Sequence, residues 1–286
     1  MSYPGVLHEY SPGKVAFEFS PTGHKNTVLF IGGLDDGFLT VPYVPTVAKD
    51  LAQRDWSVIQ IQMTSSFKGW GLSSLDQDIK EIRTLVEYLR SEKGGSRDKI
   101  VLFGHSTGSQ DTIHYLLNYG DTVDGGILQA SASDREAYTM TIGKDKERLD
   151  IGAREMVLKG EADQLLPLEY SKHVFNTPIS AYRWCSLMLP GGDDDYFSSD
   201  LTSEVLEKTF GKISKPFLIA FSECDQYVPK EIDKVNLLRG WKECSNLSYW
   251  SKNSGLIKGA SHKVDSDESQ QFLCLMVNNF LDEFHL

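Results

Sequence analysis

The segment Val101-Leu102-Phe103-Gly104-His105-Ser106-Thr107-Gly108 constrains this chain more than any other. A short apolar run ends in Gly-x-Ser-x-Gly and passes into a helical stretch at residues 110–119. Strand, sharp turn and helix form the context in which the motif carries chemistry. The turn strains the serine backbone and lifts its hydroxyl over the end of a sheet. Small residues at 104 and 108 let the turn and helix approach closely, and the positive end of that helix lies beside Ser106.

Around this turn, apolar runs alternate with amphipathic segments. Strands are predicted at residues 15–19, 27–31, 57–62, 99–103, 126–130, 216–221 and 255–258. Helices are predicted at 42–53, 75–90, 110–119, 231–243 and 265–284. The second of these carries Ile79, Ile82, Leu85, Val86 and Leu89 at helical spacing. Such alternation implies an α/β fold with a mostly parallel sheet covered on both faces. It lapses between residues 131 and 215, where the chain is charged and aromatic without a convincing buried strand. The expected organisation is a core of residues 1–130 and 216–286 with residues 131–215 inserted as a cap or lid. The insertion leaves the sheet at its carboxyl edge, where open α/β sheets bind ligands.

A serine nucleophile needs a base to take its proton and a carboxylate to orient that base. Asp225 falls in the loop after the strand at 216–221, and His262 in the loop after the last strand. Ser106, Asp225 and His262 thus occur in the chain order and contexts that a catalytic triad requires. Glu223 is a reserve acid, and Asp163 lies in a similar loop but follows charged helix rather than buried strand. His8 and His24 precede the sheet, and His285 is in the tail. His105 and His114 flank the nucleophile, and His173 could line a pocket from the insertion. The oxyanion donors are expected to be the backbone amides of Thr107 and of Leu34, which follows the tight Gly32-Gly33 turn. This chemistry calls for no metal or organic cofactor.

The net charge of −11 and pI near 5.1 argue against nucleic-acid or anionic-membrane partners. A neutral or cationic small molecule is compatible with them. Cys185, Cys224, Cys244 and Cys274 show no Cys-x-x-Cys spacing, so neither a zinc ribbon nor a redox motif is indicated. The first residues lack the basic and apolar regions of a signal peptide, and no apolar stretch approaches the roughly 20 residues of a membrane span. A cytoplasmic location is therefore expected. The sequence leaves the oligomeric state open.

With these residues in hand, the chain resembles the α/β-hydrolase superfamily over nearly its whole length. The resemblance implies that Ser106 is nucleophile, His262 base and then acid, and Asp225 its orienter. The His-Gly common in that superfamily's oxyanion loop is absent from Ile31-Gly32-Gly33-Leu34. A narrower resemblance rests on Phe30–Gly37, Gly69-Trp70-Gly71 and Gly104–Gly108. It points to a fungal and plant branch that includes intracellular esterases of fusarinine-type siderophores, iron carriers made of ester-linked hydroxamate units. A small-molecule ester, such as a cationic ferric siderophore, is the implied substrate. Another carboxylester, thioester or lactone is the alternative, as is a low-turnover ligand receptor on the same scaffold. In the insertion, Asp193, Asp194 and Asp195 stand beside Tyr196, with Trp184 shortly before. They are the expected acidic and aromatic wall for a cationic ester.

Overall fold

The computed structural model describes residues 2–286. Its strands are β1 (Gly5–Ser11), β2 (Lys14–Phe19), β3 (Asn26–Ile31), β4 (Trp56–Ile61), β5 (Lys99–His105), β6 (Gly125–Gln129), β7 (Phe217–Ser222) and β8 (Gly255–Ile257). They form one sheet in the order β1-β2-β4-β3-β5-β6-β7-β8. The β1–β2 and β2–β4 pairs are antiparallel, and the pairs from β4 to β8 are parallel. The parallel strands are almost wholly buried, as strands covered on both faces must be.

The helices are α1 (Val44–Leu51), α2 (Leu75–Arg90), α3 (Thr107–Tyr119), α4 (Asp134–Ile142), α5 (Lys146–Leu158), α6 (Leu168–Ser171), α7 (Ala181–Met188), α8 (Ser203–Lys208), α9 (Lys234–Glu243) and α10 (Asp267–Glu283). One face of the sheet packs on α1 and α10 through Val44, Val47, Leu51, Leu273, Val277 and Phe280. The other packs on α2, α3 and α9 through residues such as Ile79, Ile82, Ile113 and Trp241. Ser74 caps α2 by accepting from Gln77 N–H, which fixes the start of the helix.

β1 is absent from the sequence reading. Its side chains are mostly exposed because it is an edge strand with one neighbour, so no apolar alternation announces it. The signal was the Pro12-Gly13 dipeptide between the two strands, a two-residue connection with Gly13 at φ 71°.

The inserted segment divides into two by its packing. Helices α4 to α7 build a small core of their own, with Tyr138, Leu149, Ala153, Trp184, Leu187 and Met188 buried together against Trp70. From Tyr196 onward the chain returns to the sheet. Phe197, Phe210 and Ile213 join the main core, and Phe210 stacks on Trp241 of α9 at 5.4 Å.

Candidate active site

Ser106 lies between β5 and α3 with φ 55° and ψ −125°, a conformation L-residues avoid. The surroundings enforce it. A Cβ on Gly104 would lie 1.9 Å from the Gly108 carbonyl oxygen, so only glycine lets α3 start this close to β5. Ser106 N–H donates to Gln129 O at the end of β6 (3.0 Å), which pins the turn from the neighbouring strand.

Asp225 and His262 come from the loops after β7 and β8. His262 Nδ1–H donates to Asp225 Oδ2 at 2.8 Å, and the two residues are 4% and 3% exposed. The opposite carboxylate oxygen accepts from Tyr227 N–H (3.0 Å), so the carboxyl group cannot swing away. The Gln226 side-chain oxygen accepts from His262 N–H (3.1 Å), and the Tyr227 ring stands edge-on to the imidazole at 4.6 Å. This is how a base is held in one tautomer with its second nitrogen free. Ser106 and His262 line the same cavity, of about 180 Å³, without a hydrogen bond joining them. Catalytic contacts of this kind often tighten only when substrate binds.

The Gly32–Asp36 loop arches over Ser106. A Cβ on Gly33 would come within 2.6 Å of Ser106 Cβ. Leu34 lines the cavity, and Thr107 N–H is the first, unspent donor of α3. The loop is braced by Asp36, a residue to which the sequence reading gave no role. Asp36 Oδ2 accepts from Gly33 N–H (3.0 Å), while Oδ1 accepts from Thr40 Oγ1 (2.8 Å) and Lys263 Nζ (2.8 Å). Burial opposes ionisation of this carboxyl, but His105, Lys263 and Thr40 hold it below the usual range. Lys263 directly follows His262, so one contact ties the Gly32–Asp36 loop to the His262 loop.

His105 is fully buried beside His262, 5.0 Å from its ring, and donates through Nδ1 to Gln129 Oε1 (2.6 Å). Burial and then the nearby His262 push its pKa down to about 4, against the pull of Asp36. It is therefore a neutral packing histidine. His114 is held between Tyr196 and Asp76. His8 pairs with Glu18, and His24 faces Asp55. Glu223 is exposed and accepts from Gly259 N–H, and Asp163 is exposed in a turn of the insertion. His173 does reach the cavity wall, beside Phe175.

Helix α4 supplies the remaining wall. Asp134, Ala137, Tyr138 and Thr141 fall at helical spacing and all face the cavity. Asp134 Oδ2 accepts from Gln110 Nε2 (2.6 Å). Burial, and then Asp194, raise its pKa to about 8, with Arg183 and Gln110 opposing. None of these side chains was singled out from sequence. The periodicity shows that α4 has a face, but not what that face covers.

The expected acidic and aromatic wall is not at this cavity. Trp184 is fully buried in the insertion's own core, edge-on to Tyr170 and donating to Asp150 (2.9 Å). Asp193 accepts from Tyr182 (2.5 Å), and Asp194 from Arg183 and Ser186 (both 2.6 Å). Asp195 faces Arg135 (3.2 Å) and bonds Ser198, while Tyr196 pairs with His114 (2.7 Å). Asp194 and Asp195 are held by arginines, Trp184 and Tyr196 are buried, and Asp193, though exposed, is bonded to Tyr182. Among the described residues no group of three or more His, Cys, Asp or Glu side chains is placed to hold a metal, and no helix is long and apolar enough to cross a membrane.

Comparison with known proteins places this geometry in context. The family described as "Protein of unknown function (DUF1749)" matches residues 1–282. Fusarinine C esterase sidJ of Aspergillus fumigatus is 36% identical, over 97% of this chain and 94% of that protein. The solved structure titled siderophore hydrolase EstB from Aspergillus fumigatus superposes with a TM-score of 0.85 at 36% identity, covering 99% of this chain and 98% of the other. A protein described as an alpha/beta hydrolase fold protein of unknown function superposes with a TM-score of 0.70 at 18% identity, over 100% and 97% of the two chains, and shares the fold.

Proposed function

The chain belongs to the DUF1749 family, and from the site and the relatives it resembles we propose that it is a serine esterase opening the ester bonds of a fusarinine-type hydroxamate siderophore. The observation that carries the chemistry is the buried 2.8 Å contact between His262 Nδ1 and Asp225 Oδ2 on the cavity that also exposes Ser106. The choice of substrate is supported by the relatives named for fusarinine C and siderophore hydrolysis, each alike along nearly the whole chain. All four cysteines are unpaired, which suits action in the reducing cytoplasm.

The reaction proceeds by acyl transfer. Ser106 Oγ attacks the ester carbonyl as His262 Nε2 takes its proton, and Asp225 stabilises the imidazolium. The amides of Leu34 and Thr107 receive the oxyanion. His262 then protonates the departing alcohol, and the acyl-enzyme remains. Water, deprotonated by His262, attacks this acyl group, and the acid leaves as Ser106 regains its proton. Small-molecule pockets commonly measure about 300–1,000 Å³. The roughly 180 Å³ here takes one ester arm while the rest of a large chelate stays outside.

Mass spectrometry of ferric and iron-free fusarinine C, incubated with the protein and with Ser106→Ala, tests the reading. Linear products one water heavier per ester cut, formed only when Ser106 is present, are expected. Turnover of a small neutral ester without siderophore opening would remove the siderophore and keep the esterase.

A further inference from the structure

We propose that Asp111 of α3 is a positioning residue for the two oxyanion amides, acting through a single water held in a smaller cavity against Gly33, Leu34 and Thr107. This inference deepens the esterase reading and rests on it.

The first observation is an orphaned carboxyl. Four buried carboxyl groups act on Arg183, and three of them are bonded. Asp78 accepts from Ser73 (2.9 Å), Asp134 from Gln110 (2.6 Å), and Asp194 from Arg183 and Ser186 (both 2.6 Å). Asp111 is 4% exposed, and its side chain makes no hydrogen bond among the described residues. A buried carboxyl without a partner is costly, and a buried water is the common remedy.

The second is the space beside it. A cavity of about 20 Å³ is lined by Asp111, Asp78 and Arg183 together with Gly33, Leu34 and Thr107. One water needs about 10–15 Å³ and two to four polar partners, and this site offers both.

The third is placement. Asp111 follows Thr107 by four residues and so shares its face of α3. Helix and loop already touch at Gly108, where a Cβ would lie 2.3 Å from Ile31 O and 2.8 Å from Gly32 O. The water gives them a second point of contact. The amides of Thr107 and Leu34 then keep a fixed separation while charge develops on the carbonyl oxygen between them.

The carboxyl suits this task as a neutral acid. Burial, and then Asp78 of α2 and Asp194, push its pKa well above the usual carboxylate range, with Arg183 of α7 opposing. A neutral carboxyl both donates and accepts, so it can orient a water. Asparagine keeps a donor and an acceptor, whereas leucine keeps only the size.

Asp111→Leu and Asp111→Asn separate positioning from folding. On a small neutral ester, kcat of Asp111→Leu should fall about tenfold to hundredfold with KM little changed, since oxyanion bonds strengthen in the transition state. Asp111→Asn should keep kcat within about threefold, because it can still orient the water. The urea midpoint of Asp111→Leu should equal or exceed that of the unaltered protein, because an apolar side chain replaces a costly buried acid. A group that served only the fold would lose stability and activity together. Labelling of Ser106 by a small fluorophosphonate should slow by a similar factor in Asp111→Leu. In that reaction Oγ bonds phosphorus, fluoride leaves and His262 takes the proton. Unchanged kcat and labelling in Asp111→Leu, an equal loss in Asp111→Asn, or a lower urea midpoint alongside the lower kcat would each overturn the role. If no ester is turned over yet labelling slows in Asp111→Leu and not in Asp111→Asn, the esterase reading fails and the positioning role stands.

Discussion

In the proposed mechanism Asp225 touches no substrate and acts only through His262, to which it is hydrogen-bonded at 2.8 Å. Replacing it with Asn preserves size and burial but offers an N–H where the histidine needs an acceptor. The imidazole then turns to the wrong tautomer, and kcat should fall by about 10⁴-fold with KM little altered. Ester hydrolysis rates measured beside Ser106→Ala check this, and a loss under tenfold would assign the orienting role elsewhere. The positions of Ser106, Asp225 and His262 are legible in the sequence because each follows from local context, a strand end followed by a loop or helix. Asp134, Tyr138 and Lys263 are not, because their roles depend on which way a helix or loop faces across the molecule. The acidic run at 193–195 shows the converse error. Adjacent carboxylates suggest an open charged surface, but Arg183 and Arg135, remote or on another element, claim two of them.

At the scale of elements, a buried guanidinium is one of the ties between the helices of the insertion and the body. Arg183 of α7 is 2% exposed, bonds Asp194 within the insertion, and donates through Nε to Trp70 O ahead of α2 (3.1 Å). Burial disfavours its charge, but Asp194, Asp78, Asp111 and Asp134 sustain it. Asp78 and Asp111 belong to α2 and α3, so the cation serves carboxyl groups from both bodies. Arg183→Leu leaves these groups without their cation and should cost about 3–5 kcal/mol, the range for breaking a buried pair by removing one partner. Urea unfolding gives the number, and a loss below 1 kcal/mol would show that the insertion is secured by its apolar core alone. The repeating βα units were readable from hydrophobic period. The insertion was readable only as a lapse in that period, since its short helices take their order from tertiary burial around Trp184 and Trp70.

Across the whole molecule, buried carboxyl groups divide into two populations with opposite pH behaviour. Glu18 resists burial through His8, Ser57, the Gly23 amide and Arg97, and its pKa falls to about 2. Its contribution is present above the unfolded value of about 4.5 and is lost as pH falls through about 2. Around Arg183 burial prevails: Asp78 rises to about 6, Asp134 to about 8, and Asp111 well above its usual range. These groups prefer their protonated forms when folded, so stability declines as pH climbs from about 4 through 8. The two trends together place maximum stability at about pH 4. Urea midpoints at about pH 2, 4, 6 and 8 should rise and then fall, and a midpoint still increasing from about 4 to 8 would contradict the assignment. The cluster around Arg183 also makes the chain a sink for hydrogen ions. At neutral pH the unfolded polypeptide carries these side chains ionised, and it must draw protons from its medium to fold. Refolding in weak buffer should leave the solution more alkaline, and the heat of unfolding should vary with the ionisation enthalpy of the buffer chosen.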